Sequence, residues 1–112
     1  MVVIRGDPRK SHRPVEGLRV ALGLSTGPNP VSVILLDEAR FLLTMDCDAR
    51  EDIIDGEILE THLPAVKELA LPFVVPEGTR ASFEFDPELT VRTVSRNHIA
   101  SLLTQADRIL VF

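Results

Sequence analysis

The sequence predicts a layered α/β domain built on a parallel sheet, and three observations carry that prediction. Short apolar runs without alternation recur along the chain, as expected of strands covered on both faces. Between them lie segments with apolar residues at helical spacing. The segment 95–112 shows one such unit whole. Ser95 is placed to cap a helix, Ile99, Leu102, Leu103 and Ala106 line one of its faces, and Asp107 ends the pattern before the apolar run Arg108-Ile-Leu-Val-Phe112.

The elements follow in order. Val2-Val3-Ile4 is the first strand. A loop from Gly6 to Pro14 leads into a helix with Val15, Leu18, Ala21 and Leu22 on one side, which Gly27, Pro28 and Pro30 end. Residues 31–36 form the second strand, with Asp37 and Glu38 at its carboxyl end. Phe41-Leu42-Leu43 suits a short helical turn, and an acidic loop runs from Asp46 to Glu57. A helix over 58–70 turns Leu59, Leu63, Val66 and Leu69 inward. Pro64 favours the first turn of a helix, which makes Thr61 an alternative cap and start. Residues 71–75 are the third strand, 76–83 a turn or short helix, and 91–94 the fourth strand. The closing helix leads to a fifth strand over 108–112, expected to be covered on both faces. Alternation of this kind asks for helices on both sides of a five-stranded parallel sheet, a single three-layer α/β/α domain spanning 1–112. Ligands gather at the carboxyl ends of such strands.

Composition narrows the function classes. The chain has 112 residues and a net charge of −5, which weighs against direct nucleic-acid binding. It has no tryptophan or tyrosine and five phenylalanines, so the core is aliphatic. No run is long enough for a membrane span or a signal peptide. A single cysteine excludes an internal disulfide and makes a reducing cytoplasm the expected compartment.

With the elements in order, the chain resembles the DsrE/DsrF/DsrH-like group, nearest to its TusC and DsrF type of subunit. The resemblance rests on Val3-Ile-Arg-Gly-Asp-Pro8 ahead of Glu16-Gly-Leu-Arg-Val-Ala-Leu22. It continues in Val31-Ser-Val-Ile-Leu-Leu-Asp37 with Phe41-Leu-Leu43, and ends on Ala106-Asp-Arg-Ile-Leu-Val-Phe112. It implies a flavodoxin-like variant of the three-layer fold and small cytoplasmic proteins that assemble into homo-oligomers or with sibling subunits. Some members relay sulfur as a cysteine persulfide. The cysteine that does so in the family falls just after the third strand, which corresponds here to Val75-Pro76-Glu77, where no cysteine stands. The resemblance therefore implies a non-catalytic subunit that packs against its own copies or a cysteine-bearing sibling. Phe73, Phe83 and Phe85 are candidate interface anchors, with core filling as the alternative and as the expected role of Phe73.

The chemistry-bearing residues form three groups. Cys47 is the one candidate catalytic thiol, for a divergent sulfurtransferase. Asp46 and Asp48 flank it and disfavour its thiolate, and Arg50 opposes them in part. The first loop is basic in an acidic chain: Arg5, Arg9, Lys10, His12 and Arg13, with Asp7 among them, near a helix start that favours anions. It lacks the glycine spacing of a P-loop. Glu77, Gly78, Thr79 and Arg80 follow the third strand and complete the expected set for a small anion or nucleotide.

No metal site is expected. Asp46, Asp48 and Glu57 meet the first, third and twelfth positions of a calcium loop, but Arg50 and Glu51 break the template. His12, His62 and His98 lie in separate segments, His62 as a packing residue. No cofactor is implied.

Overall fold

The computed structural model describes residues 1–28, 30–78 and 85–112, without the side chain of Cys47. Five parallel strands form one sheet: β1 (Val2–Ile4), β2 (Val33–Leu35), β3 (Phe73–Pro76), β4 (Val91–Val94) and β5 (Leu110–Val111), in the spatial order β4-β3-β2-β1-β5. Val2 pairs with Val33 on one side and with Leu110 on the other. Phe73 joins Val33 to Val91.

Among the described residues four helices accompany the sheet: α1 (Arg13–Ser25), α2 (Cys47–Glu51), α3 (Gly56–Glu68) and α4 (Arg96–Gln105), with a 3-10 helix over Asp37–Leu43. The expected three-layer fold is present, with unequal layers. Successive side chains of a strand point to opposite faces, so an unbroken apolar run feeds two cores at once. Val2, Ile4, Val33, Leu35, Phe73 and Val75 face the larger core, with Val15, Leu18 and Ala21 of α1 and Leu59, Leu63 and Val66 of α3. Val3, Ile34, Val74 and Val94 face the smaller one, closed by Ile99 of α4 with Leu102 and Leu103 partly buried beside it.

Several boundaries differ from the sequence reading, each for a physical reason. The acidic stretch contains α2, because Asp46 accepts a hydrogen bond from the Asp48 backbone N–H at 3.0 Å and caps a short helix. Helix α3 starts at Gly56 and runs through Pro64, so the start capped by Thr61 is not used; the Thr61 hydroxyl instead donates back to the Glu57 carbonyl. The buried stripe of Leu59, Leu63 and Val66 outweighs the bond lost at Pro64, which faces solvent. Ser95 caps α4 as expected, accepting from the His98 N–H at 3.1 Å.

The larger correction concerns β5. Only Leu110 and Val111 pair, at the edge of the sheet, and they are 45 % and 53 % exposed. Among the described residues the smaller core draws on one helix, α4. Its contacts fall on β1 to β4, so β5 stays uncovered. Phe73 is buried in the larger core, as expected, and Phe85, a candidate interface anchor, is buried there too, while Phe83 lies outside the described residues. Among the described residues no helix is long and apolar enough to cross a membrane.

Candidate functional site

The strand order fixes where a ligand fits. From β1 the chain steps through β2 and β3 to β4, and α4 then carries it back past β1 to β5. The order of strands reverses at β1, and the crevice beyond the carboxyl ends of β1 and β5 is the switch point at which open α/β sheets bind ligands. A shallow cleft of about 360 Å³ lies there, lined by Arg5, Gly6, Ser11, Arg13, Asp37, Val111 and Phe112. A larger depression, about 770 Å³, opens at the opposite end of the strands between Leu24, Pro30, Val31, Pro72 and Arg108.

The first loop is built around one carboxylate. Asp7 Oδ1 accepts from the backbone N–H of Arg9 at 2.9 Å and from its Nε at 3.0 Å, and Oδ2 accepts from Nη2 at 3.0 Å. The Asp7 carbonyl accepts from the N–H groups of Lys10 and Ser11. Arg9 reaches on to Glu38 Oε2 at 3.1 Å and lies 3.9 Å over the Phe41 ring. The side-chain hydrogen bond from Arg9 holds the Asp7 carboxyl below the usual aspartate value, against the opposing effect of burial. Arg9 and Asp7, both expected to meet a ligand, thus hold the loop to the 3-10 helix. The Ile54 N–H donates to the Pro8 carbonyl at 2.8 Å and fixes the other side of the turn.

This clamp sets the remaining cations. Arg5 continues directly from β1, its N–H bonded to the Phe112 carbonyl at 2.9 Å. Arg13 opens α1, its N–H bonded to Ser11 Oγ at 3.1 Å. Both side chains are exposed, line the cleft, and make no ion pair among the described residues. His12 is the exposed N-cap residue, with no side-chain cap bond, and Lys10 is exposed beyond Asp7.

The set after the third strand falls elsewhere. Glu77 and Gly78 are exposed at the end of β3, two strands from β1, and neither lines the cleft. The Glu77 N–H bonds the Val94 carbonyl at 2.8 Å, and Gly78 has φ +89°, which suits glycine. Thr79 and Arg80 lie outside the described residues. Cys47 opens α2 in the preceding connection; its side chain lies outside the described part. Among the described residues no group of three His, Cys, Asp or Glu side chains is arranged to hold a metal ion. His62 is half-buried on α3 and His98 exposed on α4.

Sequence reasoning placed Asp37 at a strand end where ligands gather without making it a candidate site residue, and it missed Val111 and Phe112. Asp37 lines it from the carboxyl end of β2 with φ 52°, a left-handed conformation that aspartate tolerates better than most residues. Phe112 comes from the far end of the chain, and only the sheet order brings it to Arg5.

No family model and no curated protein matches the sequence. A solved structure does match: the YchN protein of E. coli, at TM-score 0.71 and 18 % identity, over 99 % of this chain and 97 % of that one. At this identity the likeness shows the fold alone, a DsrE-like α/β fold.

Proposed function

We propose that the protein is a non-catalytic, oligomer-forming subunit of a cytoplasmic sulfur-relay system, assembling with its own copies or with a cysteine-bearing sibling. The observation that carries this reading is the end of β3. In a DsrE-like fold that resembles sulfur-relay subunits by sequence, the chain continues there as Pro76-Glu77-Gly78, with no thiol. The edge of the sheet supports assembly: Ile109, Leu110 and Val111 are each at least 40 % exposed beside β5, a run of large apolar side chains next to unpaired backbone.

Two measurements test the reading. Intact-mass analysis after incubation with a low-molecular-weight persulfide donor is expected to show no reducible sulfur on the protein. Light scattering after size exclusion is expected to show a species larger than the monomer, alone or with a sibling subunit. A sulfur gain that Cys47→Ser abolishes would instead make the protein a sulfurtransferase using Cys47. A strict monomer with no sibling partner would remove the scaffold role.

A further inference from the structure

We propose that the cleft at the carboxyl ends of β1 and β5 is a binding site for a small tetrahedral oxyanion, a phosphate or sulfur oxyanion, held between Arg5 and Arg13. Charge accounting is the first support. The chain carries 17 carboxylates against 12 lysines and arginines, so acidic partners are in excess. Arg9, Arg19, Arg40, Arg50 and Lys67 all have one. Arg5 and Arg13 have none among the described residues; Lys10, Arg92, Arg96 and Arg108 have none either, so what sets Arg5 and Arg13 apart is that both line one cleft.

The second support is the way the loop is held. The Asp7–Arg9 pair and the two bonds to the Asp7 carbonyl fix the turn from which Ser11 and Arg13 emerge, and the Phe112 carbonyl holds the Arg5 backbone. The two guanidinium groups thus spring from fixed backbone, which lowers the ordering cost of binding. Ser11 Oγ accepts from the Arg13 N–H, which leaves its own O–H free to donate to an anion. Guanidinium groups match oxyanions with paired, charge-assisted hydrogen bonds. Asp37, in the same cleft, opposes a bare dianion and offers an acceptor to a hydroxyl or ammonium carried beside the oxyanion. The site is independent of the relay reading, and the relay reading would survive its failure.

Isothermal titration of the full chain with inorganic phosphate, sulfate and thiosulfate at constant low ionic strength tests the proposal. At least one anion is expected to bind saturably at one site, and the preferred anion separates a phosphate ligand from a sulfur ligand. Arg5→Ala and Arg13→Ala are each expected to weaken binding about ten- to a hundredfold, the loss of a hydrogen bond to a charged group. Both positions are exposed, so the folded state tolerates the change. Asp37→Asn is expected to tighten binding of the bare anion, and asparagine accepts the same backbone conformation. Arg92, exposed on β4 at the opposite edge of the sheet, is the control, and Arg92→Ala should change nothing. No saturable binding of any of the three anions, or an equal loss in Arg92→Ala, would overturn the site.

Discussion

Gly17 and Phe112 are in closer contact than any side chain at position 17 would allow: a Cβ built on Gly17 would stand 2.9 Å from Phe112 Cγ. Glycine inside a helix ordinarily costs about 1 kcal/mol relative to alanine. In α1 that cost permits the Phe112 ring to lie against the helix beside the cleft. Gly17→Ala is therefore expected to destabilise the fold by about 1–3 kcal/mol, the overpacking range, despite the gain in helix propensity. Adding Phe112→Gly should remove the clash, since alanine would keep the Cβ that stands 3.0 Å away, and a double-mutant cycle in denaturant unfolding should show strong coupling. Additive effects would mean that the ring and the helix do not meet.

The Asp7 carboxyl, held low by Arg9, and the Asp86 carboxyl, held low by Lys67 at 2.7 Å, make stability depend on acid. A carboxyl with a depressed folded pKa contributes stability that is fully present above its unfolded value. That contribution is lost as pH falls through the folded value. The acid limb of the stability curve is thus expected below about pH 4. Asp7→Asn should lower stability at neutral pH by about 1–2 kcal/mol and flatten that limb. Unfolding midpoints between neutral pH and pH 3 would check both.

Pro64 interrupts the hydrogen bonding of α3 on its exposed side. Pro64→Ala returns an N–H to the Glu60 carbonyl and removes the ring from the helix interior. The change is expected to stabilise the protein by about 1–3 kcal/mol, reduced by the extra freedom alanine gives the unfolded chain. A lowered midpoint in urea would show that the proline fits its backbone without cost.

Val111 is more than half exposed on the edge strand. Val111→Lys places a charge where another strand would have to pair. If the protein assembles along this edge, the variant is expected to be monomeric, with its stability as a folded chain changed by about 0.5 kcal/mol or less. Light scattering together with thermal unfolding separates the two effects.

Much of the fold was legible in the sequence because periodicity and end signals agreed. Val2–Ile4 and Val91–Val94 are strands at the expected residues, and Ser95 caps the last helix. The failures have a common origin in what periodicity does not record. The run 108–112 reports apolarity, which a covered strand and an exposed edge share. The stripe of α3 is visible, but whether Pro64 sits on its wet side depends on the tertiary fold. In the candidate site, the basic loop was legible by composition, whereas the division of labour within it was not. Asp7 and Arg9, two residues apart, satisfy one another, while Arg5 and Arg13 are left to the cleft. Composition counts charges without pairing them.

The pairing of Val2 with Leu110 joins the two most distant parts of the chain. Its loop-closure entropy exceeds that of every other strand pair, while the two residues of β5 return few bonds for it. Strand β5 is therefore expected to dock after the sheet of β1 to β4 has formed. Substitutions in it should speed unfolding and leave the folding rate nearly untouched. The cleft, which needs Phe112 beside Arg5, would then come into being only in the last step of folding, and local opening of this one edge would dismantle it while the rest of the sheet stayed intact.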